Sequence, residues 1–401
     1  MMSMTKTTEL NNESQFSAAL NKVLAKIQKN KRAFTDPEVK AFCAKRFRNI
    51  FINEAIEDPI AMKAATEKPL FGKDNRPAKQ KAYERFLRND GPAEWNIDYP
   101  QARNPVLKNT TLLFCPGLLT GLLPVMAFQE AFPAIEKKYK IKILQSDSHP
   151  MRGCEANVND IRNAVEKGIG LDANAKVITK GKAPKDIFVI CYSKGMPDLL
   201  TALIEMPELK DRIRCIFNWA GAPGGSPLAD NIFASIKNAD MAALKNLTEI
   251  IKVVNPMINL GDKVRRLDEY HIKDAVESIT TTYRQEFLQK HLKEIDKMNI
   301  PIFNISGSTT VTEVPYFQMQ GVMELNKYDA NNDMQVTQHG AKIASPMATD
   351  LAMLHGHHWD LSYSPFPKNM RFGSAHLDHP FPKEAAATAM IKFAFELGLI
   401  D

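Results

Sequence analysis

The stretch Asp186–Met206, DIFVICYSKGMPDLLTALIEM, changes period in its middle. Its first six residues form a β-branched, apolar run of the kind a fully buried strand needs. After Ser193-Lys194-Gly195 the apolar positions recur at three and four residues, as on a helix. A serine at such a hinge has two readings. It can cap the helix through its side-chain oxygen. In a turn tight enough to demand small neighbours, it can instead be held up as a nucleophile at a helix N-terminus, where amide donors and the macrodipole favour negative charge. Gly195 supplies one small neighbour. Cys191 stands where such a turn usually has glycine, and it is still a small residue.

Outward from this hinge, strand and helix patterns alternate from Thr110 onward. TTLLFC is followed by the loop PGLLTGLLP and a helix, then the strand IKILQ, a loop and another helix, then the hinge, and then RIRCIFNWAG. Continuous apolar strands separated by amphipathic helices imply a mostly parallel sheet covered by helices on both faces, the α/β class. Residues from about 231 to 298 read as helical with no strand, after which IPIFNISGS and ATDLAMLHG resume the sheet. KEAAATAMIKFAFELGLI closes the chain as a helix.

Acyl-transfer chemistry at a serine needs two backbone N–H donors for the oxyanion of the tetrahedral intermediate. One comes from the residue after the nucleophile, here Lys194, and the second from a loop after an earlier strand. CPGLLTG occupies that place, two sequence-legible strands before the hinge, and its Leu118 is the natural donor. The alternative for PGLLTG is an ordinary glycine turn.

PGLLTG, CYSKG and NND-M-Q-V together resemble the α/β-hydrolase superfamily, and within it the bacterial lipases and esterases. The resemblance covers roughly residues 106–401. It implies an α/β-hydrolase fold and a Ser, acid, His order along the chain. Asp333 aligns with the acid of the N-D-G-x-V segment, with Met334 in place of the glycine, and Asp329 is its competitor. The base lies in a loop after the next strand. HGHHWDL offers His355, His357 and His358, and FGSAHLDHP offers His376 and His379. His358 follows Asp333 by 25 residues, room for a helix and a strand, and HHWDL resembles a D-H-W segment of relatives with a G-Y-S-K-G elbow. His376 sits in an H-L-D that resembles characterised lipases. Strand order selects His358.

The resulting expectation is a carboxylic ester hydrolase, lipase- or esterase-like, with a lipophilic acyl substrate and a Ser193–His358–Asp333 triad. The alternative is a catalytically inactive α/β-hydrolase fold that serves as a binding or scaffold module, for which Cys191 and Met334 speak. No cofactor is expected. His355, His357, His358 and Asp360 are zinc-competent residue types, but H-x-H-H-x-D does not set two ligands on one helix face. No glycine-rich phosphate loop follows the first strand, so a nucleotide is not expected either.

Composition agrees with a globular chain. It has 401 residues, 44% hydrophobic and 24% charged, with a net charge of +6 that gives no argument for nucleic acid. Five widely spaced cysteines without CxxC fit a reducing compartment, and the polar start lacks a signal-like apolar region, so a cytoplasmic protein is expected. No run approaches the ~18 apolar residues of a membrane span.

Residues 1–105 read as a helical extension, with a Ser14-capped helix and a second helix behind Asp36-Pro37. Between Lys22 and Arg48 there are nine Lys/Arg against Asp36 and Glu38. The extension should pack on the body or on another subunit, with that basic face in solvent and Trp95 and Tyr99 pinning the connector. Residues 106–401 are then the hydrolase body, with a helical cap at about 231–298.

Overall fold

The computed structural model describes residues 13–67, 72–88, 94–96, 99–120, 123, 125–238, 266, 269–365, 368 and 380–401. Eight strands form one sheet: β1 (Thr110–Cys115), β2 (Lys142–Gln145), β3 (Gly170–Leu171), β4 (Val177–Ile178), β5 (Asp186–Tyr192), β6 (Ile213–Trp219), β7 (Ile302–Ser308) and β8 (Ala348–His355). Their order is β4-β3-β2-β1-β5-β6-β7-β8. All neighbours run parallel except β2–β3 and β3–β4, an antiparallel corner at one edge. The six strands read from the sequence are all present. β3 and β4 were not foreseen, because two-residue strands are too short to display a period.

The unbroken apolar runs follow from burial of both sheet faces. Along β5, Ile187, Val189 and Cys191 enter one core and Phe188, Ile190 and Tyr192 the other. The first core lies under the helices Cys154–Lys167, Gly195–Glu205 and Thr281–Lys297. The Thr281–Lys297 helix contributes Ile295, with Phe287, Leu288 and Leu292 packed alongside, so it belongs to the helical layer of the body. Of the segment expected to form the cap, residues 239–265 and 267–268 lie outside the described residues.

The second core is built in good part by the N-terminal helices. Asp36 caps the Pro37–Ile56 helix by accepting from the Glu38 N–H at 2.8 Å, as the Asp-Pro pair suggested. The first helix spans Glu13–Lys29, so Ser14 lies inside its first turn rather than capping it. Phe34 meets Phe303 of β7 at a ring separation of 5.7 Å, and Phe47 meets Phe217 of β6 at 6.4 Å. Phe47 also packs edge-on against Phe393 of the closing helix Lys383–Glu396 at 5.7 Å. Tyr99 is buried edge-on against Phe16 at 5.5 Å, and Trp95 packs on the same core. The polar connector holds a further helix, Ala78–Phe86, after which Leu87 bridges to Leu354 of β8.

The basic face is not left to solvent as a whole. Arg46 is 1% exposed and makes a fork to Glu396, Nε to Oε2 and Nη2 to Oε1, both 2.6 Å, while its Nη1 donates to the Pro100 carbonyl at 2.8 Å. Arg48 is paired with Glu94, and Arg32 with Asp296 at 2.8 Å. A guanidinium reads the same in sequence whether it faces water or a buried carboxylate, and the carboxylate here comes from a helix 350 residues away.

Removing one member of a buried fork leaves the other charge unpaired, which costs about 3–5 kcal/mol. Arg46→Ala is therefore expected to lower the unfolding free energy in urea by about 3 kcal/mol or more, whereas Lys22→Ala, exposed at its tip, should stay within about 0.5 kcal/mol. A chain beginning at Pro105 should be insoluble or lose cooperative melting, since the phenyl groups that cover β6 and β7 would be gone.

Candidate active site

The hinge at the end of β5 is a strained turn. Ser193 has φ 55, in the left-handed region that non-glycine residues avoid and that costs about 1–3 kcal/mol when surrounding structure enforces it. What enforces it is the approach of β1. A β-carbon on Gly195 would stand 2.1 Å from the Cys115 carbonyl oxygen, so glycine is required there. A β-carbon on Gly117 would come within 2.6 Å of Ser193 Cβ, so the loop after β1 lies directly against the serine. Cys191 is fully buried in the sheet, paired in register with Cys115 of β1, and its small side chain is accommodated where glycine was expected.

This contact also places the two sequence-predicted N–H groups. Lys194 opens the Gly195–Glu205 helix as its N-cap. Leu118 follows Gly117 in a turn closed by the Thr120 N–H donating to the Gly117 carbonyl at 3.4 Å, with Leu119 at φ 65. Among the described residues, the amides of Leu118 and Lys194 donate to no protein acceptor. Amides so presented beside a serine can receive negative charge from a ligand.

Asp333 and His358 come together although 25 residues separate them. His358 Nδ1 donates to Asp333 Oδ2 at 2.7 Å, with both side chains 2% exposed or less. The His358 backbone N–H donates to the Asp333 carbonyl at 2.8 Å. Asp333 Oδ1 is occupied separately, accepting from the Gln335 and Val336 N–H groups at 3.0 and 2.7 Å. An ionised carboxylate can only accept, so Nδ1 carries a proton, and in the neutral imidazole Nε2 presents its lone pair. Nε2 is buried and has no hydrogen-bond partner among the described residues. Met334, at the glycine position, holds φ 74 and is fully buried, so the acid turn keeps a left-handed conformation with a larger side chain.

Tyr192, which the sequence reading passed over, connects the two halves. Its ring stacks on the His358 imidazole at 4.9 Å, and its hydroxyl donates to the His358 carbonyl at 3.0 Å. Its place immediately before Ser193 is the only sequence signal it offers. No hydrogen bond closes between Ser193 Oγ and His358 Nε2, so the structure joins Asp333 to the imidazole and leaves the serine hydroxyl outside that pair.

The competing residues go elsewhere. Asp329 Oδ1 accepts the Asn331 N–H at 2.9 Å and its carbonyl the Asn332 side chain at 3.1 Å, as part of the turn that leads to Asp333. His355 Nε2 meets Glu313 at 2.7 Å and Arg88 at 2.9 Å. Burial would raise the Glu313 carboxyl, but His355, Thr310 and Arg88 together outweigh it and the group is held down at about 2. His357 Nδ1 accepts the Asp360 N–H at 3.1 Å. The three histidines thus diverge to separate partners, and no group of three metal-competent side chains occurs among the described residues. His376 and His379 lie outside the described residues.

No protein-family model matches the chain, and no curated protein matches its sequence. Among solved structures, the crystal structure of a metagenomic carboxyl esterase superposes with a TM-score of 0.61 at 21% identity, covering 88% of this chain and 91% of the other. The mature form of a Bacillus licheniformis lipase gives a TM-score of 0.42 at 18% identity, covering 64% and 86%. A thermophilic esterase from Thermogutta terrifontis gives 0.31 at 11%, covering 63% and 84%. The first likeness covers more than residues 106–401 alone could supply, so it reaches into the N-terminal helices. No helix among the described residues is long and apolar enough to cross a membrane. The eight-stranded, mostly parallel sheet, with its helices on both faces and the strained hinge after its central strand β5, is an α/β-hydrolase fold.

Proposed function

We propose that the protein hydrolyses carboxylic esters through an acyl-enzyme, with Ser193 as nucleophile, His358 as general base and Asp333 as the orienting acid. The observation that carries the reading is the buried His358. Its Nδ1 is committed to Asp333 at 2.7 Å, its Nε2 is buried with no partner among the described residues, and its ring stacks on Tyr192, the residue that precedes Ser193. A buried acceptor without a donor is costly, by about 1–3 kcal/mol, and its retention calls for a donor that arrives with the reaction.

In this mechanism Nε2 takes the Ser193 hydroxyl proton as Oγ attacks the ester carbonyl carbon, and the carbonyl oxygen becomes the oxyanion held by the N–H groups of Leu118 and Lys194. Collapse expels the alkoxide, which leaves with the proton from the imidazolium. Water then repeats the cycle on the acyl-serine, and Asp333 stabilises the imidazolium in both halves. The likeness to a carboxyl esterase supports an ester rather than an amide. Leu118 and Leu119, both packed against the core beside the hinge, favour a lipophilic acyl group. We propose with it a helical extension at 1–105 and a body at 106–401, with an insertion at about 231–298 whose last helix, Thr281–Lys297, packs into the helical layer of the body. A reducing cytoplasm suits the five buried free cysteines.

A fluorophosphonate should label the wild-type protein and leave Ser193→Ala unlabelled. A wild type that stays unlabelled, in a preparation shown to be folded, would return the protein to the binding-module reading. His358→Ala should lower kcat on a short p-nitrophenyl ester by on the order of 10³-fold or more, while His376→Ala should stay within a few-fold. The reverse order would move the base to His376.

Asp333→Asn can no longer hold the Nδ1–H tautomer, so kcat should fall by roughly 10⁴-fold with little change in melting temperature. A kcat within tenfold of wild type would remove Asp333 from the mechanism.

A further inference from the structure

The residue after Ser193 carries a side chain that ordinary packing would not put inside. Lys194 is 1% exposed, and its Nζ donates to Asp198 Oδ1 at 2.5 Å, one turn further along the same helix. Burial alone would push the ammonium group toward neutrality, but the Asp198 carboxylate holds it charged and raises it above its ordinary range. The chain of contacts continues. Asp198 Oδ2 accepts from Asn157 Nδ2 at 3.0 Å, on the neighbouring Cys154–Lys167 helix. Asn157 is itself fully used, donating to the His149 carbonyl at 3.1 Å and accepting from the His149 N–H at 3.0 Å. Its Oδ1 also accepts from Arg152, Nε at 3.2 Å and Nη2 at 3.0 Å. Arg152 is shared between Asp160 at 2.5 Å, on the same Cys154–Lys167 helix as Asn157, and Glu269, which Arg266 also grips through Nε at 2.6 Å.

Stability does not account for this wire. A buried ion pair replaced by apolar groups of similar volume is often neutral or stabilising, because taking two charges out of water costs as much as their attraction returns. What the pair does supply is place. It ties the Lys194 side chain to the first turn of its own helix and, through Asn157 and Arg152, to a second helix and to Glu269, so that the Lys194 main chain has little freedom to rotate.

We infer that Asp198 and Asn157 are positioning residues that hold the Lys194 N–H on the oxyanion, and that the Arg152–Glu269 pair ties this donor to the returning end of the insertion. The inference rests on Ser193 being the nucleophile. A donor aimed at developing charge is worth about 10²–10³ in kcat when removed outright, and a displacement of about 1 Å at a reacting centre can cost 10²-fold. A donor that is loosened rather than lost should cost less.

The test measures kcat, KM and the rate of fluorophosphonate labelling well below each variant's melting temperature. Asp198→Asn should lower kcat and the labelling rate together by about tenfold or more, with KM within about threefold, and Asp198→Glu should recover part of the loss. Because Asp198→Asn strands a buried ammonium and so destabilises the fold, the double variant Lys194→Met/Asp198→Leu is the second arm. It should melt close to wild type yet keep the lowered kcat, a split that a purely structural role would not produce. Glu269→Gln, at the half-exposed end of the chain, should lower kcat by roughly threefold with KM unchanged. A double variant that folds and keeps kcat within twofold of wild type overturns the inference while leaving the nucleophile intact. A wild type that neither turns over ester nor labels at Ser193 overturns the nucleophile reading, and the inference with it.

Discussion

The carbonyl oxygen of Cys115 stands 2.1 Å from where a β-carbon on Gly195 would be, and most of what lies at this edge of the sheet follows from that approach. β1 pairs with β5 in register to its end, Cys115 against Cys191, one residue before β5 ends at Tyr192, so the two turns that leave them start at nearly the same height. With no side chain at Gly195 the new helix begins at once, and the chain can turn so sharply only if Ser193 takes φ 55. The strain of about 1–3 kcal/mol is local, while the pairing that imposes it runs the length of two central strands. The sheet therefore decides the matter, and the serine is presented whatever its own preference.

The acid and the imidazole answer to a different constraint. They sit in loops beyond β7 and β8, at the same edge of a parallel sheet, where the chain leaves regular structure and its polar groups need partners. Asp333 satisfies its own turn with one oxygen and His358 with the other, so its geometry is set twice. Tyr192 then fixes the ring plane from below by stacking and the backbone from the side by its hydroxyl. Of the side-chain polar atoms of Asp333, His358 and Tyr192, only Nε2 has no partner among the described residues.

The parts legible in the sequence were those written in one segment. β5, the hinge, the Gly195–Glu205 helix and the glycine loop after β1 each announce themselves within a dozen residues, by period and by small residues. Asp333 and His358 needed the order of strands as well, and could be matched only because each candidate loop follows a clear apolar run. What stayed hidden depends on distance. Arg46 could not be told from a solvated arginine because its carboxylate, Glu396, is near the other end of the chain. Asp198 looked like an acid in the first turn of a helix, and only folding shows it turned inward on Lys194 with Asn157 behind it. β3 and β4 were too short to have a pattern.

The N-terminal helices show how far an apparent appendage can belong to the core. Their sequence has no residue pattern tied to chemistry, and on composition alone they could have been a separate module. Yet Phe34, Phe47 and Phe51 enter the same apolar cluster as Phe217 of β6, Phe303 of β7 and Phe381. A buried phenyl removes enough surface from water to contribute about 2–3 kcal/mol, comparable singly to a large share of a domain's net stability. The face of β6 and β7 that the extension covers is continuous with β5, which ends at the hinge, and β7 ends at Ser308, before the loop that carries Asp333. The bare sheet would expose that face, so in this chain the extension completes the core on which the site's geometry stands. The likeness to the metagenomic esterase, which reaches beyond residues 106–401, agrees with a fold in which such helices are part of the body rather than an addition to it.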